Sequence, residues 1–163
     1  MDNRAALLIG ELGLQPHPEG GYYREVYRSV SQVQPNDERP VRSALTTIYF
    51  LLIEGQYSSW HRVTSDEVWH FYEGDPLELF WLDTLTDERT QAVLGPVQGN
   101  SEQRPVQVVP AGCWQAARSS GAYTLVGCTV GPGFDFTDFS LLEDGSEEAE
   151  KIRRSFPGIC DGS

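Results

Sequence analysis

Three histidines stand in this sequence, at positions 17, 61 and 70, and one of them keeps company suited to proton chemistry. From Gly55, five residues lead to His61, one more to Val63, three more to Glu67 and six more to Gly74. An imidazole and a carboxyl brought together can take a proton from carbon and hold it near neutral pH. Further on, Pro110-Ala111-Gly112-Cys113-Trp114-Gln115 places an amide after two residues that follow a Pro-x-Gly turn. Enclosed within a fold, such polar groups are costly unless used or paired. The plainer alternative is a buried His61–Glu67 hydrogen bond that joins two strands, with Gln115 a satisfied core amide.

The elements that must position these groups read as strands. Thr46–Ile53 (TTIYFLLI) is a nearly continuous β-branched and aromatic run, expected to be buried on both faces. Shorter strands are expected at Tyr22–Arg28, Tyr57–Val63, Glu67–Glu73, Leu77–Asp83, Arg89–Leu94, Val106–Val109, Trp114–Ala117 and Tyr123–Val130. Gly, Pro, Asp and Asn punctuate them, the pattern of a sandwich or barrel. Val30–Pro40, polar and proline-containing, reads as a long loop. A helix over about 3–12 opens the chain, capped by Asp2 or Asn3 and stopped by Gly13. Another is expected over about 146–154, with Glu147, Glu148 and Glu150 first and Lys151, Arg153 and Arg154 last, the order that suits the helix dipole. The expectation is one domain over 1–163 with a barrel core of about 20–142.

Side chains alternate along a strand. If His61 points inward, Ser59 and Val63 go with it; if Glu67 does, Trp69 and Phe71 follow while Val68, His70 and Tyr72 face out. Gln115 carries Cys113 and Ala117 inward. The resulting interior is aromatic and apolar with a few convergent polar groups, the anatomy of a small-molecule site. Arg24 and Tyr22, or Glu25 and Tyr23, face the cavity depending on register, and Arg24 at a pocket mouth would suit a carboxylate or phosphate. His17, before Pro18 and a glycine pair, reads as part of a turn. The Asp135–Phe139 stretch (DFTDF) is placed to close the barrel end.

A formal net charge of −12 and a pI near 4.5 argue against nucleic acid and anionic membrane as partners. Three widely spaced cysteines, Cys113, Cys128 and Cys160, make no disulfide framework and read as small buried thiols. Without a signal-like start or a membrane-length apolar run, the expected location is cytoplasmic.

The spacing from Gly55 to Gly74 resembles the first cupin motif, G(X)5HXH(X)3-4E(X)6G, with Val63 at its second histidine. The Pro110–Gln115 segment resembles the second, PXG(X)2H, with Gln115 in place of histidine. Longer runs, HPEGGYYRE, WHRV-SDE-WHFY-GDPLEL, VPAG-WQAA and LVGCTVGPGF-F-DF, resemble the cupin-5 family from roughly Leu12 to Leu142. The resemblance implies an all-β jelly-roll barrel with short terminal helices, a homodimer, and similarity to deoxysugar-nucleotide epimerases. It implies no established reaction. On that basis His61 and Glu67 are the candidate catalytic pair of a metal-independent epimerase or isomerase acting on a carbohydrate-like substrate. Ser59, Trp69, Phe71, Gln115 and Arg24 are the candidate ligand contacts. The alternatives are a non-catalytic metabolite-binding module and a metal-dependent cupin oxygenase. A full cupin metal site has three histidines and a glutamate, so no cofactor is expected, beyond a loosely held divalent ion on His61, Glu67 and Gln115.

Overall fold

The computed structural model describes residues 1–159, so Cys160 lies outside the described residues. Helix α1 (Asn3–Leu12) precedes strands β1 (Gln15–Pro16), β2 (Tyr22–Arg28), β3 (Gln32–Val33), β4 (Arg42–Ser43) and β5 (Thr46–Ile53). Then come β6 (Tyr57–Val63), β7 (Asp66–Gly74), β8 (Leu77–Asp83), β9 (Glu88–Leu94) and β10 (Val106–Val109). The chain continues through β11 (Trp114–Ser119), β12 (Tyr123–Gly131), a 3-10 turn (Phe136–Asp138) and β13 (Phe139–Leu141) to helix α2 (Glu147–Ser155). Asp2 caps α1 by accepting from Arg4 and Ala5 N–H, Gly13 ends it in the left-handed region, and Ser146 caps α2.

Two antiparallel sheets face each other as a jelly-roll sandwich. One runs in the order β1-β2-β5-β12-β7-β10, the other β13-β6-β11-β8-β9. Phe50, Leu52, Trp69, Leu79, Val126 and Cys128 fill the space between them. The two helices cover the outer faces. Under α1, Ala5, Leu8 and Leu14 pack on Leu51 and Leu125; beside α2, Ile152 and Phe156 pack on Trp60, Phe80 and Trp114. That arrangement explains the continuous apolar run of β5. Its inner face meets the core, and α1 covers Tyr49, Leu51 and Ile53 on the other.

Besides the two-residue β1, two pieces of structure depart from the sequence expectation. The Val30–Pro40 loop contains β3, which pairs with β4 into a short hairpin. β13, three residues long, pairs with β6 and brings Phe139 opposite Val63. Neither segment is long enough to show a strand period.

Candidate functional site

Three bulges decide which side chains reach the interior. Each inserts one extra residue on one strand and reverses the alternation beyond it. In β6 the break lies between the Gln115↔His61 and Ala117↔Ser58 pairs, so Ser58 rather than Ser59 shares the inner face with His61. In β2 it lies at Val26: Glu25 pairs with Ile48 and Arg28 with Thr46, so both face inward although three residues apart. In β7 it lies at Tyr72, past the inward row of Glu67, Trp69 and Phe71.

The His17–Gly21 turn completes the inner wall. His17 N–H donates to Gly21 O and Gly20 N–H to His17 O. Gly20 has φ +104°, and a Cβ there would run into the Tyr57 carbonyl. The turn is pressed onto β6, where Ser59 N–H donates to Glu19 O at 2.7 Å, and this turns the Glu19 side chain inward.

A cavity of about 400 Å³ results. Glu19, His61, Glu67, His17 and Cys128 contribute its polar groups, Tyr23, Ile48, Val63 and Val130 its sides, and Phe134, Phe136 and Phe139 an aromatic wall. Phe139 stacks on His61 with ring centroids 5.6 Å apart.

The protons can be placed by elimination. Ser59 O accepts at 2.7 Å from His61 Nδ1, which fixes the proton there. His61 Nε2 is 3.1 Å from Glu19 Oε2, and Glu19 Oε1 accepts from the Ser58 hydroxyl at 3.0 Å. An unprotonated nitrogen and a carboxylate oxygen would repel at that distance, so a proton lies between them. Burial supplies the reason, raising Glu19 to about 8 and lowering His61. Glu67 is raised to about 7, again first by burial. Its Oε1 accepts from Gln115 Nε2 at 2.6 Å, and Gln115 Oε1 accepts from Trp69 Nε1 at 3.1 Å. Since indole only donates, this chain fixes the amide orientation. Burial and the neighbouring carboxyls push the Cys128 thiol well up, so it stays protonated.

His61, Glu67 and Val63 line the cavity, as do Tyr23 and Glu25. Other sequence candidates sit elsewhere. Ser59 acts through its backbone. Trp69 and Phe71 belong to the core behind Glu67, and the Gln115 amide is engaged by Glu67 and Trp69. Arg24 faces away, toward α1, and donates to Leu12 O at 3.3 Å; the β2 register settles the choice for Tyr23 and Glu25. The arginine at the mouth is Arg28. Glu19 and the inward placement of His17 were missed, because a Pro-Glu-Gly-Gly turn has no period to read. The one available signal was an acid placed directly ahead of the first barrel strand.

Cupins commonly hold a metal at this position, and the donor set here does not fit one. Val63 offers no ligand, the Gln115 amide is engaged and Glu19 occupies His61 Nε2. Among the described residues, no group of three or more His, Cys, Asp or Glu is arranged to hold a metal ion.

No curated protein matches this sequence. A crystal structure of a Shewanella oneidensis protein is 38% identical with TM-score 0.77, covering 92% of this chain and 89% of that one. A hypothetical protein from Leishmania major is 33% identical with TM-score 0.80, covering 96% and 94%. A Bacillus subtilis oxalate decarboxylase variant, 13% identical with TM-score 0.58 over 85% of this chain and 33% of its own, shares the fold. The family model described as Cupin superfamily (DUF985) matches residues 6–142, and the chain belongs to that family, cupin-5.

Proposed function

We propose that this cupin binds a small carbohydrate-like molecule and catalyses metal-independent proton transfer next to a carbonyl, giving epimerisation or isomerisation. The Glu19–His61 contact supports this reading most strongly, because two groups 3.1 Å apart share one exchangeable proton inside a cavity. Glu67, poised near neutral pH, takes the proton from carbon as the C–H bond breaks and its electron pair moves to the carbonyl oxygen. The Glu19–His61 unit, loaded at neutral pH, returns a proton to carbon. Two groups whose environments set them apart in acidity give the base and the acid. Trp69 and Gln115 hold Glu67 in place.

The reading includes a homodimer, no tightly held metal, and a cytoplasmic setting, which the buried free thiols Cys113 and Cys128 suit. Solvent deuterium incorporation across a panel of keto-sugars tests the activity. Exchange by the wild type supports it; a ligand that binds and is recovered without deuterium favours a non-catalytic binding module instead.

A further inference from the structure

His17 takes no part in the proton transfer above, yet its side chain is 6% exposed and lines the same cavity. Glu19 N–H donates to its Nδ1 at 3.1 Å, so the neutral ring carries its proton on Nε2. Burial, helped by His61 nearby, lowers this histidine to about 4, which keeps the ring neutral at physiological pH. Tyr23 packs edge-on against the ring at 4.5 Å and holds its plane. No group among the described residues accepts from Nε2–H. Trp114 Nε1 is the one fully enclosed side-chain nitrogen or oxygen among them without a partner. His17 Nε2 is therefore not sealed in protein, and the ring that carries it lines the cavity.

The charges around the cavity decide what sort of molecule can meet that donor. The lining carries Glu19, Glu25, Glu67 and Asp135 against a single cation, Arg28. Arg28 is engaged by both Glu25 oxygens, at 2.6 and 3.3 Å, and by Phe134 O at 3.0 Å. In the hollow beside the mouth, Arg42 holds both oxygens of Asp138 at 2.9 Å. An anionic ligand would enter among acids with no unpaired cation to receive it, a costly placement away from water. Hydroxyl and carbonyl oxygens carry no such penalty.

We propose that the cavity selects an uncharged hydroxycarbonyl compound of monosaccharide size over its phosphate esters, its carbonyl oxygen accepting a hydrogen bond from His17 Nε2–H. A neutral imidazole aimed at that oxygen stabilises the negative charge that develops when the neighbouring carbon loses its proton. The chemistry of this inference rests on the proposed function; its binding order does not.

The test titrates the full chain with D-xylulose, xylitol and D-xylulose 5-phosphate, following binding through the imidazole nitrogens by NMR. Xylulose is expected to bind at least about tenfold more tightly than its phosphate ester and to shift the His17 Nε2 signal more than xylitol does. His17→Ala should erase the preference for xylulose over xylitol, and His17→Gln, which keeps an N–H donor, should restore part of it. Glu25→Gln frees Arg28 and should raise affinity for the phosphate ester about tenfold. The proposal is overturned if xylulose shows no saturable binding, if the ester binds as tightly, or if folded His17→Ala keeps the wild-type preference. Binding in the expected order without deuterium exchange removes the catalytic reading and leaves this one standing.

Discussion

Glu19 Oε2 lies 3.1 Å from His61 Nε2, on a ring whose other nitrogen already donates to Ser59 O. The contact joins the turn before the first long strand to β6, and it makes the Glu19–His61 pair uncharged at rest.

That neutrality sets the pH dependence of stability. Glu19 and Glu67, raised to about 8 and about 7, hold protons in the folded state that the unfolded chain releases above about 4.5. Stability therefore falls as pH rises from there toward 8. His17, lowered to about 4, and His61, also lowered, act oppositely: the unfolded chain binds their protons below about 6.5, so stability rises with pH up to that point. The two effects offset one another between about 4.5 and 6.5, and above that the acids dominate. Urea midpoints are expected to decline from pH 6.5 to 8, and Glu19→Gln should flatten the decline. An unchanged slope in the variant would show that Glu19 is ionised in the fold.

Trp69 is 1% exposed and supplies the donor that orients Gln115. Trp69→Ala should lose ~3–5 kcal/mol, as large core aromatics do. Trp69→Phe keeps most of the packing but leaves the Gln115 oxygen without its donor, for a loss of ~1–3 kcal/mol. Denaturant unfolding of both variants measures the difference. A neutral Trp69→Phe would mean that the amide finds another partner.

What was legible beforehand follows from what has a period. β5 showed a run expected to be buried on both faces, and β7 its inward row of Glu67, Trp69 and Phe71. The spacing from Gly55 to Gly74 brought His61 and Glu67 together, both of which line the cavity. Alternation failed where bulges intervene, so Ser59 stood in for Ser58, and nothing in YYREVYR announces that Val26 reverses the faces and brings Arg28 inward. Glu19 is carried by a turn whose geometry depends on two glycines packed against strands far along the chain. Only tertiary contacts reveal that.

Asp138, its side chain 5% exposed, accepts from both Arg39 and Arg42 and ties the long loop to the turn that carries Phe136 and Phe139. Asp138→Ala takes from Arg42 its carboxylate partner and leaves Arg39 with Asp37 alone. A lower denaturation midpoint is expected, with faster hydrogen exchange over residues 134–139. Stability within about 0.5 kcal/mol of wild type would show that the loop is held by other contacts.

The outer face of the larger sheet leaves Tyr72, Val106 and Val108 about half exposed, beside Val68 and His70. Tyr27 and Val26 add to it at the far strand. An apolar face of this kind suits a two-fold partner. Light scattering at micromolar concentration should give twice the 18.2 kDa of one chain, and Val108→Asp should lower it. A monomer mass at both low and high salt would end the dimer.

The central claim is that the Glu19–His61 unit and Glu67 move protons to and from carbon. Its most direct measurement is deuterium incorporation beside the carbonyl of a bound ketose in heavy water, read by NMR for wild type, His61→Ala, Glu19→Gln and Glu67→Gln. The account predicts exchange by the wild type, and at least about hundredfold slower exchange by His61→Ala and Glu67→Gln with folding intact. Glu19→Gln should fall between. Full exchange by His61→Ala, or none by a wild type that binds the ketose, would contradict it.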